Sequence, residues 1–240
     1  MKQFYSIIIL FLNLNSFAQS YEGTLTYISD FEISEELLKM GTTKQIMLDN
    51  NMVEGAWHDT IRTVYKQGNY HMSLSKKPQL SVIYRADSNK IFSFQYEDGL
   101  DICTVTDASI DLEFVETKKM PVVQKLKKVV DIGGITCNII RIKWATRTYD
   151  YYYNPARFKI NSSLFSKHVC DGWAAFTKIS NALPVKTVPT VNGMVTITIT
   201  LVSTKVESVE EKKFLVPKLI ADKDLNVLKT PNVELMRIEK

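Results

Sequence analysis

The chain predicts a mainly β protein laid out as an antiparallel meander, with a β-sandwich as the alternative packing of the same strands. Three observations predict it. Apolar residues recur with a period of two along most of the 240 residues. Strand-length runs are separated by short Asn, Asp and Gly turn signals rather than by crossover helices. Only one long stretch carries helical spacing.

The first strand is Thr24 to Ile28 (T-L-T-Y-I). Glu32 to Met40 then breaks the alternation with a short helical stretch, for which Ser34 is the N-cap and Gly41 the stop. Strands are expected at Lys44 to Leu48, Thr60 to Lys66, Tyr70 to Ser73, Leu80 to Arg85, Lys90 to Tyr96 and Ile102 to Thr106. Turn signals at Asp49-Asn50-Asn51, Gln67-Gly68-Asn69, Asp87-Ser88-Asn89 and Glu97-Asp98-Gly99 punctuate them. In the second half, Val122 to Val130 reads as a strand, and Thr136 to Trp144 pairs with Thr148 to Tyr153 as a hairpin. The helix is expected from Ser162 to Ser180, where Phe165, Val169, Trp173, Phe176 and Ile179 make one apolar face. Gly172 is its weak point, by about 1 kcal/mol relative to alanine. Val195 to Val202 alternates cleanly, with Ile197, Ile199 and Leu201 on one face and Thr196, Thr198 and Thr200 on the other. The tail beyond Pro217 has weak periodicity and reads as mobile.

The N-terminus carries an export pattern. Lys2 precedes an apolar run from Phe4 to Leu14, and Ser16-Phe17-Ala18 places small residues at the −3 and −1 positions of a cleavage site. Residues 1–18 are therefore read as a signal peptide and residues 19–240 as one β-rich domain, secreted or periplasmic. The apolar run is shorter than the roughly 20 residues that span a bilayer, and no later run is long enough. Removing the leader removes one basic residue, Lys2, so 29 basic and 26 acidic residues remain. That balance points away from nucleic acid as a partner.

No catalytic, metal or cofactor motif stands out. His58, His71 and His168 lie outside any H-x-H or H-E-x-x-H arrangement, and there is no G-x-S-x-G elbow or Gly-rich phosphate loop. A hydrolase remains conceivable only through groups converging from distant strands. Cys103, Cys137 and Cys170 read as small buried apolar residues; if one bridge forms in an oxidising compartment, Cys137–Cys170 is the expected pair. Tyr149, Tyr151 and Tyr153 share one strand face, as do Phe92, Phe94 and Tyr96. Two roles fit such ladders: cross-strand pairs covering a core, or the lining of an apolar pocket. For the pocket, the nominated residues are Trp144, Tyr151, Tyr153, Phe165, Trp173 and Phe176.

Several stretches resemble a family of secreted bacterial proteins called GLPGLI-like, which is related in fold to the lipoprotein carriers LolA and LolB. They are I-G-G-I-T-C-N-I-I at Ile132 to Ile140, Y-Y-Y-N-P at Tyr151 to Pro155, N-A-L-P-V-K at Asn181 to Lys186, the strand at Val195 to Val202, and F-L-V-P-K at Phe214 to Lys218. The resemblance covers about residues 120–218; the G-L-P-G-L-I motif itself is absent. It implies an incomplete antiparallel β-barrel with one or two helices on its concave side, and a lipid or lipoprotein acyl chain as the partner. The alternative is an envelope interaction or sensing module whose interior is filled.

Overall fold

The structure is a computed structural model that describes residues 20–49, 60–74, 79–97, 100–222, 224–225 and 230–239. Residues 1–18, where a signal peptide is expected, and Trp57 and His58 lie outside the described residues. The fold is mainly β. Among the described residues every strand belongs to one antiparallel sheet of 13 strands in the order β12-β13-β6-β5-β4-β3-β2-β1-β11-β10-β9-β8-β7. In chain order these are β1 (Gly23–Ile33), β2 (Thr60–Lys66), β3 (Asn69–Leu74), β4 (Gln79–Arg85), β5 (Lys90–Glu97), β6 (Leu100–Asp107), β7 (Val122–Ile132), β8 (Ile135–Lys143), β9 (Arg147–Tyr153), β10 (Lys186–Val191), β11 (Val195–Val206), β12 (Leu219–Ala221) and β13 (Val233–Ile238). Among the described residues four short α-helices accompany them: α1 (Glu35–Lys39), α2 (Lys44–Asp49), α3 (Leu112–Thr117) and α4 (Trp173–Ser180).

Two hairpin meanders, β1 to β6 and β7 to β11, are joined where β1 pairs with β11, from Gly23↔Val206 to Ile33↔Val195. The sheet is open, and it curls toward one face. Tyr84 on β4 and Tyr151 on β9 stand six strands apart, about 29 Å on a flat sheet at ~4.8 Å per strand. Two rings nevertheless connect them: His168 lies 4.5 Å from Tyr84, Trp173 lies 6.1 Å from His168, and Tyr151 lies 5.9 Å from Trp173, centroid to centroid.

That inner face carries Leu25, Tyr27, Ile61, Tyr65, Leu74 and Tyr84, with Ile199 and Leu201 packed against them. Segment 158–183 lies across it. The outer face of β4 to β6 is covered separately, with Ile83, Phe94, Cys103 and Val105 packed under Val209 and Phe214. Successive residues Ile83 and Tyr84 thus serve opposite layers, as strand alternation requires.

Several expectations change. Lys44–Asp49 is a helix rather than a strand; Thr43 Oγ1 accepts from Ile46 N (3.1 Å) at its start, and Met47 packs on Phe31. A short apolar run has no period long enough to choose between the two states. The stretch from Ser162 to Ser180 is broken into a 3-10 turn at Ser162–Phe165, a second at Cys170–Gly172, and α4. Asp171 and Gly172 both adopt left-handed backbone, with φ of 57° and 73°. The break resets the helical phase, so Phe176 is buried while Ile179 is 42 % exposed. Beyond 218 the tail supplies β12 and β13, and β13 pairs with β6 from Val233↔Thr106 to Arg237↔Ile102.

Candidate functional site

The nominated aromatic residues converge. Alternation on β9 turns Tyr149, Tyr151 and Tyr153 inward, and the register of β8 sets Ile142, Ile140 and Asn138 beside them. Trp144 closes the β8–β9 turn, where its backbone N–H donates to the Arg147 carbonyl (2.8 Å). α4 lays Trp173 and Phe176 onto this surface. The Tyr151 and Phe176 rings stack at 4.5 Å, Tyr153 meets Phe176 edge-on at 6.0 Å, and Trp173 lies 5.5 Å from Phe176. Phe165 belongs to the adjoining cluster around Tyr84 and reaches Trp173 at 6.2 Å. Trp144, Tyr151, Tyr153, Phe165 and Phe176 are each no more than 3 % exposed. What they form is a packed interior in which the ring of one residue occupies the space beside the next. A cleft of about 760 Å³ opens elsewhere, beside β5, β6 and β13, between Lys90, Asp107, Asn232 and Glu234.

The second aromatic ladder takes the opposite face. Phe94 is buried beneath Phe214, with Phe92 packed beside it; the Tyr96 side chain lies outside the described residues.

A polar layer borders the interior, and no sequence motif announced it. Tyr149 Oη donates to Asp171 Oδ1 (2.6 Å), and Tyr151 Oη donates to the Asp171 carbonyl (2.9 Å). Asp171 N and Glu113 N both donate to the Asp111 carboxylate, at 2.7 and 2.9 Å. Asp111 thereby caps α3 and holds the 170–172 turn; burial pushes its carboxyl above the usual range. Glu113, also buried, accepts from Thr146 N in the β8–β9 turn. His168 Nε2 lies 3.1 Å from Tyr70 Oη, and its ring packs on Tyr84. Burial lowers the imidazole to about 4, which keeps it neutral at physiological pH. Burial likewise raises Tyr149 and Tyr151, Asp171 adding to both, so the phenols stay protonated. Each carboxylate here is engaged in holding backbone or a phenol. The only cue to this layer in the sequence was D-A-S-I-D, a turn followed by a helix cap at Asp111.

The expected Cys137–Cys170 pair is not joined in this structure, where Cys103, Cys137 and Cys170 are all free thiols. The sheet itself separates the expected pair. Cys137 points to the outer face, alternating with the inward Ile140 and Ile142, whereas Cys170 packs on the inner side near the Ile110 carbonyl (3.5 Å). Burial raises Cys170 and Cys103 to about 12 and Cys137 to about 11, values that suppress the reactive thiolate. Among the described residues no group of three or more His, Cys, Asp or Glu is placed to hold a metal ion.

No protein-family model matches the chain. No curated protein matches it either. Among solved structures, PNGF-II in a C2 crystal form aligns at 14 % identity and TM-score 0.42, and PNGF-II in a P21 form at 12 % and 0.43. Each alignment covers 82 % of this chain and 30 % of PNGF-II, so the chain spans under a third of that protein's length.

Proposed function

We propose that this chain is an exported, non-catalytic envelope protein that works as an interaction module on an incomplete, LolA-like barrel with a filled interior. The observation that carries this is the Tyr151–Phe176–Trp173 stack, which occupies the concave face with the protein's own side chains. A lipid or lipoprotein acyl chain, the ligand implied by the resemblance, enters only if α4 and the 3-10 turn before it leave the sheet. Exposing Phe165, Trp173 and Phe176 costs about 5–9 kcal/mol, at ~1.5–3 kcal/mol per large apolar side chain. The non-catalytic reading draws support from His168, Asp111 and Glu113, each of which makes an internal contact through one side-chain atom or more. Export rests on the leader pattern ending at Ala18.

The test uses protein recovered from the secreted or periplasmic fraction, its intact mass read first for a chain beginning at Gln19. That protein is titrated with a dansyl-labelled fatty acid. No saturable change in tryptophan emission is expected. A one-to-one response that Trp173→Ala abolishes would replace the module reading with a carrier.

A further inference from the structure

We infer that the free edge of β7 docks an acidic extended peptide segment, which adds to the sheet as a further strand. This rests on the interaction-module reading above and names the surface and the class of partner.

β7 is the last strand in the sheet order and pairs only with β8. Half of its backbone N–H and C=O groups therefore face away from the sheet. Among the described residues no turn or loop hydrogen bond reaches them. The two ends of the sheet differ in kind. β12 is blunted by being only three residues long, which is one way proteins protect an edge. β7 is 11 residues long and exposed along most of its length, including Val122 at 66 % and Val129 at 55 %.

The side chains on this edge select the partner. Lys125, Lys127 and Lys128 are exposed on β7, Lys118 and Lys119 precede it, and Lys143 stands opposite Val122. Among the described residues none of these six lysines takes part in an ion pair. The edge is also shaped. Leu126 faces Ile139 and Val130 faces Cys137, so Lys127, Lys128 and Val129 share the single opposite residue Asn138 and bulge out of the ladder. The regular stretch Val122–Leu126 keeps its register and offers a template for hydrogen bonding. The bulge beside it presents two ammonium groups.

A second copy of this chain fits poorly, because edge-to-edge pairing of two β7 strands sets lysine against lysine. A strand carrying carboxylates meets the opposite charge. β-Branched residues between its carboxylates find the exposed valines across the edge. Strand addition of this kind takes affinity from main-chain hydrogen bonds and specificity from alternate side chains.

The experiment uses the full mature chain and a labelled peptide of alternating Glu and Val or Thr. Its controls are the same composition interrupted by two prolines and the triple variant Lys125→Glu, Lys127→Glu, Lys128→Glu. The replaced side chains are exposed, and an unchanged thermal transition confirms that the variant folds. Anisotropy is expected to show salt-dependent binding that weakens about tenfold or more with either control, where 1.4 kcal/mol is tenfold. Amide exchange is expected to slow at 122–126 when the peptide binds. No binding, or equal binding by the triple variant, overturns the docking site. Equal binding by the proline-interrupted peptide without slowed exchange also overturns it, leaving an electrostatic surface for any polyanion. The fatty-acid titration judges the module reading separately: a silent probe with a failed peptide removes only this docking site.

Discussion

At His168 the imidazole is enclosed by Tyr84 at 4.5 Å, Tyr70 at 6.0 Å and Trp173 at 6.1 Å between ring centroids. Burial holds its pKa near 4, against an ordinary value of 6.5. The unfolded chain therefore gains a proton as pH falls through about 6.5, while the folded chain gains it only near 4. Between these limits the unfolded state binds more protons, so stability falls with pH. The loss at this one residue reaches about 2 kcal/mol by pH 5, at 1.36 kcal/mol per unit. Asp111 acts in the opposite sense, because its folded pKa is raised. Denaturation midpoints at pH 7 and 5 for the wild type and His168→Gln isolate the histidine, since Asp111 is common to both. The wild type is expected to lose more stability than the variant over this interval; parallel losses would show that the imidazole is solvated. No sequence signal marked this residue, because its burial comes from strands about 85 to 100 positions away.

Among the helices, α4 shows how one position sets an element's boundary. Gly172 has φ +73°, and a Cβ there would lie 2.6 Å from both Cδ1 and Cγ2 of Ile142. Left-handed backbone costs a non-glycine residue about 1–2 kcal/mol, and forcing a methyl into a packed contact costs about 1–3 more. Gly172→Ala is expected to destabilise by about 2–5 kcal/mol in chemical denaturation. Gly133→Ala is the control. Its φ is +58° with nothing within 4 Å of an added Cβ, so only the backbone cost of about 1–2 kcal/mol applies. Equal losses in the two variants would mean that α4 does not sit tightly on β8. The missed strand β10 has a comparable local cause. Pro189 lies inside it, and the pairs to β11 lapse between Thr187↔Ile199 and Thr190↔Thr196. A proline is tolerated where the ladder is already interrupted.

For the whole molecule, the seam between β1 and β11 carries the greatest consequence. Gly23 faces Val206, 183 positions later in the chain, and Leu25 in the same strand is fully buried. Contacts of such sequence separation close late and make folding slow, on the ms to s scale for mainly β domains. β1 and β11 have partners on both sides, while β7 has one partner and a bulge. Native-state amide exchange is expected to place β1 and β11 in the last unit to open and β7 among the first. Slow exchange in β7 together with rapid exchange in β1 would contradict the seam's role.

Local physics determined much of this protein from its sequence. Alternation at Val195 to Val202 put Ile199 and Leu201 on one face, where both now pack against the inner cluster, because strand geometry repeats every two residues whatever the fold. Ser34 accepts from Leu37 N (3.3 Å) where a cap was expected, since capping needs only neighbours within one turn. The six nominated aromatic and helical side chains also meet, because apolar faces of adjacent elements have few other places to go. Tertiary structure alone decided the rest. That those rings fill the space instead of lining it depends on how far the sheet curls, a property summed over six strands and absent from any one of them. The side of the sheet on which Cys137 and Cys170 stand depends on how segment 158–183 crosses it. Which strand is left as the free edge depends on β1 closing against β11, a contact between residues about 180 positions apart.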